Sequence, residues 1–171
     1  MTHSIKNSTP QTAPNQQTTI PDAFKNAIQL YEANKLEEAN ILLRRILTAA
    51  PGHAPALHLL GVITHNLGDT KTAVKLIADA IKIMPNEALF HANAGEMHRI
   101  LKNLDAAIRY GEKAVSLSPD NATALSNLGV AHYDAGDLDK AETCQKRALQ
   151  ILPNLPAALN NLGSIQHDKK I

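Results

Sequence analysis

Apolar and small side chains recur along this chain at helical spacing, interrupted by short polar turns. Leu125, Leu128, Gly129 and His132 fall along one helix, Asp134–Asp137 with Gly136 break the pattern, and Leu138, Ala141, Ala148 and Leu149 resume it. The spacing predicts helix, tight turn, helix. The same plan stands upstream, where Leu57, Leu60 and Gly61 precede the Gly68-Asp69 turn and Ala73, Leu76, Ile77 and Ala80 follow it. One unit has Lys102-Asn103 in place of the glycine turn, with asparagine expected to take the left-handed conformation, and Asn34-Lys35 serves the first unit similarly. Asp69, Asp105 and Asp137 stand near the starts of second helices, where a carboxylate suits the positive end of the helix dipole.

The pattern has a period. Pro51, Pro85, Pro119 and Pro153 each follow the last by 34 residues. Three columns of small residues keep that step: Ala39, Ala73, Ala107 and Ala141; Ala27, Gly61, Gly95, Gly129 and Gly163; and Ile46, Ala80, Ala114 and Ala148. Where antiparallel helices cross closely only Gly or Ala fits, so each column predicts a helix contact. Glycine inside a helix costs roughly 0.5–1 kcal/mol relative to alanine, a cost that close approach offsets. Proline ends each unit because it cannot continue a helix and biases its predecessor towards extended backbone. His91 where neighbouring units have leucine, and Gly111 and Gln145 where they have Leu43 and Ile77, predict looser helix contacts in the third and fourth units.

Leu57, Leu60, Gly61, Ala73, Ala80 and Pro85, read with Leu125, Leu128, Gly129, Ala141, Ala148 and Pro153, resemble the tetratricopeptide repeat, whose period is 34 residues. The resemblance covers about nine tenths of the chain. It implies an all-α fold, an α-solenoid of stacked antiparallel helix pairs wound into a right-handed superhelix. The expected organisation is a disordered polar tail over 1–19, repeats over 20–53, 54–87, 88–121 and 122–155, and the first helix of an incomplete fifth repeat over 156–171. That last helix either caps the array or belongs to a longer protein, since Leu159, Leu162 and Gly163 follow the internal pattern.

Composition narrows the function. Seventeen basic and 16 acidic residues leave a net charge of +1, which offers no broad field for nucleic acid or an anionic membrane. One cysteine, Cys144, excludes an internal disulfide and reads as a small apolar filler. The first nineteen residues lack the apolar run of a secretory signal, and no apolar stretch approaches the ~18 residues of a membrane span. A cytoplasmic protein is the expectation.

No Gly-x-Ser-x-Gly, phosphate-cradling glycine loop or His-Glu-x-x-His occurs, so neither an enzyme nor a cofactor is expected. No metal site is expected either. His58 and His65, like His91 and His98, are seven residues apart and so lie about 10 Å apart along a helix axis. His98 and His132 are expected to pack with one nitrogen satisfied.

Function is expected on the inner surface of the first helices, a groove for an extended peptide or partner helix. Asn93, Asn127 and Asn161 recur there at the 34-residue period, after Lys25 and Leu59 at the equivalent earlier places. An asparagine offers donor and acceptor together and can pair with a peptide backbone without reading its side chains. The ladder, with Asn127-Leu128-Gly129 and Asn161-Leu162-Gly163, resembles the repeat region of O-linked N-acetylglucosamine transferases, whose equivalent asparagines hold substrate backbone. Helical phase adds His58, His65, Glu96, Arg99, Ser126, Tyr133 and Asn160 to this face, predicting a mixed polar groove. A clamp for a chaperone's C-terminal carboxylate needs cations where this chain has Phe24, His58, Leu59, Leu89 and Asn93, so that use is not expected. The sequence predicts a non-enzymatic interaction module for a protein or peptide, with the recognition arm of a larger glycosyltransferase-like enzyme as the alternative. Self-association through the last helix is the further partner expected.

Overall fold

The computed structural model describes residues 19–170. The polar segment expected to be disordered lies outside them, apart from Thr19, which caps the first helix by accepting from the Asp22 backbone N–H. Among the described residues nine helices follow one another: α1 (Ile20–Glu32), α2 (Leu36–Ala49), α3 (Ala54–Asn66), α4 (Thr70–Ile83), α5 (Ala88–Ile100), α6 (Leu104–Leu117), α7 (Ala122–Asp134), α8 (Leu138–Ile151) and α9 (Pro156–Asp168). Odd-numbered helices have 13 residues and even-numbered ones 14, and each packs on its neighbours in sequence, so the fold is an all-α solenoid. None is long and apolar enough to cross a membrane.

Turn chemistry sets the helix bounds. Ala50, Met84, Ser118 and Leu152, each preceding a repeat proline, hold φ between −139° and −125° and end the second helices in extended backbone. Asp69, Asn103 and Asp137 cap α4, α6 and α8 through their side-chain oxygens. Inside each pair, one residue must turn left-handed: Asn34 (φ 57°), Gly68 (97°), Lys102 (60°) and Gly136 (82°). In the third pair this is Lys102 and not Asn103, contrary to the expectation from side-chain preference, because Asn103 is needed one position later as the cap.

The small-residue columns form the seams. Ala39, Ala73, Ala107 and Ala141 are at most 1% exposed. A Cβ on Gly61 would stand 2.7 Å from Ile77 Cγ1, and one on Gly95 would stand 3.2 Å from the Ala107 carbonyl. Gly163 departs from the column: nothing lies within 4 Å of its Cβ position, because no described helix follows α9.

The looser contacts expected in the third and fourth units are not found. Leu128 closes on Gly111, its Cδ1 3.0 Å from where a Cβ would be. Gln145 is fully buried and its Nε2 donates to the Ser126 carbonyl at 2.9 Å, while His91 Nε2 bonds the Pro85 carbonyl at 2.8 Å. Each polar residue fills its place with one hydrogen bond, while Gln145 Oε1 and His91 Nδ1 stay buried without a partner among the described residues. His98 and His132 each bury an Nδ1 that has no partner. His98 instead stacks on Tyr110 at 5.3 Å. Burial lowers the pKa of both and keeps them neutral.

Candidate functional site: an inner face with two halves

The first helices of successive units stand side by side, and the columns along their inner face change character. Phe24 and His58 give way to Ala92, Ser126 and Asn160; Ile28 and Val62 to Glu96, Val130 and Ser164; and Lys25 and Leu59 to Asn93, Asn127 and Asn161. Lys25 and Val130 aside, apolar positions gather in the amino-terminal half and polar ones beyond it.

In the amino-terminal half, α1, α3 and α5 enclose an open groove of about 560 Å³. Its walls carry Phe24, Ile28 and Tyr31 of α1, Leu59 and Val62 of α3, and Leu89 of α5, with Met84 at the edge. Leu89 is 58% exposed, a large apolar side chain held in water. His58 stands behind them, 8% exposed and stacked on Phe90 with ring centroids 4.3 Å apart. Burial lowers its pKa to about 4, so the ring is neutral and its Nε2 accepts from Asn93 Nδ2 at 2.8 Å. The first asparagine of the ladder is thus committed to a histidine of the preceding unit.

The carboxyl-terminal half is polar and bonded to itself. Arg99 donates from Nε and Nη2 to Glu96 and from Nη1 to Asp134, each at 2.8 Å, linking α5 to α7. These bonds, that to Glu96 first, raise its pKa further and hold the charge in place. The Tyr133 hydroxyl donates to Asp168, linking α7 to α9 and raising the tyrosine's pKa. A smaller cavity of about 170 Å³ lies against Tyr133, Asp134 and Asn161, and Asn127 lines a cleft with Glu96 and Arg99. Neither Asn127 nor Asn161 makes a side-chain hydrogen bond among the described residues.

Other residues singled out from the sequence fall elsewhere. Ser126 is 2% exposed with its hydroxyl unpartnered, so it has no surface to offer. His65 turns to Thr70 Oγ1 at 2.9 Å, at the junction of α3 and α4. Asn160 is exposed but lines neither cavity. The mixed polar groove expected from the sequence has an apolar lining in its amino-terminal half. The sequence places Phe24 and Leu89 on the inner face only in excluding a carboxylate clamp, and it does not single out Ile28, Tyr31 and Val62, which also line the apolar groove. Among the described residues no group of three or more His, Cys, Asp or Glu is placed to hold a metal. Cys144 is half-buried against Gly129, and burial raises its pKa, so the thiol is the weakly acidic, packed form.

An array of helix pairs with crossing glycines and a concave inner face defines a helical-repeat protein. Two models of the tetratricopeptide repeat match, over residues 54–87 and 86–154, together more than half of the chain, and the chain belongs to that family. No curated protein matches its sequence. Among solved structures it is similar to MamA 41-end from Desulfovibrio magneticus RS-1, at 22% identity and TM-score 0.80 over 88% of this chain and 85% of that one. It is similar also to a chain of the APC/C hetero-tetramer Cut9-Hcn1, at 25% identity and TM-score 0.81, over 86% of this chain and 30% of that one. A third likeness is to the first TPR of Spaghetti (RPAP3) bound to the HSP90 peptide SRMEEVD, at 23% identity and TM-score 0.67, over 69% of this chain and 94% of that one. These likenesses establish the fold.

Proposed function

We propose that this chain is a non-enzymatic interaction module that holds a segment of a partner protein against the inner face of its first helices. The observation that carries the reading is the open, mainly apolar groove of about 560 Å³ between α1, α3 and α5. Its volume falls in the range of ligand sites, roughly 300–1,000 Å³, and apolar surface left in water gains free energy when a partner covers it. That a TPR of similar fold is solved with a peptide supports a peptide as the form of the partner.

Asn127 and Asn161 extend the site. Their side-chain amides are free of intramolecular bonds among the described residues and would pair with the backbone of the same segment as it leaves the groove. The double variant Asn127→Ala, Asn161→Ala is expected to keep its helicity by circular dichroism and to bind a groove-dependent peptide about tenfold more weakly, roughly 1.4 kcal/mol. Unchanged affinity would remove the asparagines from the site and leave the groove.

A second reading rests on the same two free amides: the chain serves as the substrate-recognition arm of a larger glycosyltransferase-like enzyme. It requires a native polypeptide well beyond the size of this chain. Immunoblotting with an antibody against the repeats decides it, and a single band at this chain's own mass would exclude it.

A further inference from the structure

We infer that the partner segment presents bulky apolar side chains flanked by lysine or arginine, and that it docks on the amino-terminal half of the inner face. This deepens the reading of that face as a peptide-holding surface and rests on it. The two halves differ in what they still lack. In the polar half Glu96 and Asp134 share Arg99, and Asp168 accepts from Tyr133, so each carboxylate already has a partner within the array.

Glu32 and Glu87 line the apolar groove and differ from all of these. Neither side chain makes an ion pair or hydrogen bond among the described residues; Glu37, Asp105, Glu112 and Asp120 are unpaired too, but of these six only Glu32 and Glu87 line the groove. Their positions sharpen the point. Glu32 is the final residue of α1, where the helix dipole disfavours a negative charge, and no basic residue stands in that last turn to offset it. Glu87 is the N-cap residue of α5, yet its side chain does not cap.

With the first helices aligned, Glu32 at the end of α1 and Glu87 at the start of α5 flank the groove at opposite ends. No lysine or arginine lines it and His58 is neutral, so no side-chain cation among the lining residues answers either carboxylate, although the N-terminal end of α5 favours the charge on Glu87. An occupant with an apolar centre and cations on either side satisfies both features: it covers Leu59 and Leu89 and brings a positive charge to each carboxylate. An acidic segment of equal hydrophobicity would meet repulsion at both ends. Met84 at the edge lets the groove take apolar side chains of differing shape.

The test starts from the whole chain, immobilised and offered a random peptide display library, with the Leu89→Asp chain as the counter-selection. Leu89 is 58% exposed, so this change does not disturb the core, and circular dichroism checks that. Peptides enriched on the native chain alone are expected to carry two or more large apolar residues with basic neighbours. A fluorescent peptide of that kind should bind at least about tenfold more tightly than its acid-flanked counterpart at low salt, with the gap narrowing near 0.5 M as screening grows. Glu32→Lys combined with Glu87→Lys should invert the preference. Enriched peptides that depend on Leu89 but carry neutral or acidic flanks would overturn the inference and leave the groove reading standing. No Leu89-dependent enrichment would overturn both. A dimer that Leu89→Asp converts to monomer by light scattering would assign the groove to a second copy, and the inference falls.

Discussion

His58 joins the amino-terminal half of the inner face to the packing behind it. It is neutral because it is buried, it stacks on Phe90, and it accepts the one hydrogen bond that takes Asn93 out of the asparagine ladder. Its folded pKa of about 4 lies below the ordinary 6.5 of an unfolded chain, so between these values the unfolded state binds more protons. Stability is therefore full above pH 6.5 and falls as the pH drops towards 4. The loss attributable to this ring is about 3 kcal/mol at the acid end. His98 and His132 shift in the same direction and add to the slope, whereas Asp69, Asp137 and Asp168, all lowered, titrate below this window. Urea unfolding at pH 7.5 and 4.5 is expected to show the loss, with a smaller difference in His58→Phe. An equal difference in that variant would place the acid sensitivity elsewhere.

At the scale of the element, the helix crossings carry the fold and glycine makes them possible. Gly61→Ala puts a Cβ 2.7 Å from Ile77 Cγ1 and 3.2 Å from the Ala73 carbonyl, and backbone cannot yield cheaply. The expected cost is about 1–3 kcal/mol. Gly163→Ala in α9 meets nothing within 4 Å and is expected to stabilise by about 0.5–1 kcal/mol through helix propensity alone. Thermal unfolding of the pair checks it: the two shifts should have opposite signs, and two destabilising shifts would mean that the Gly163 face is covered in solution.

Helices, seams and turns were readable in the sequence because local sterics decide them: a proline, a crossing alanine or a left-handed turn residue has few substitutes. Lys102 escaped because the need for a cap at Asn103 outweighed its neighbour's conformational preference. The site was less legible. Leu59 and Leu89 fall on the inner face by helical phase, but that they wall an open groove depends on how the first helices stand beside one another. Ser126 sits in helical phase with the groove and is buried all the same, an outcome set by how neighbouring helices pack around it. The bond from Asn93 to His58 joins residues 35 apart, so it depends on how one unit sits on the next.

At the scale of the whole molecule those 35-residue links form a series. Asn93 to His58 ties α5 to α3, Arg99 to Asp134 ties α5 to α7, and Tyr133 to Asp168 ties α7 to α9. Between α1 and α3 no such polar link occurs among the described residues, and the rings of Phe24 and His53 meet there instead, 4.9 Å apart. Interior packing resists compression, but a van der Waals contact yields to a small separation far more readily than a charge-assisted hydrogen bond does. The array therefore behaves as a spring stitched along the inner edge of its later turns and unstitched at the first. Distance distributions between spin labels should be broader for a pair on α1 and α3 than for a pair on α5 and α7, and equal widths would mean uniform stiffness. Its compliant turn is the one that forms a wall of the apolar groove, so the width of the mouth adjusts to what enters while the polar half keeps its shape.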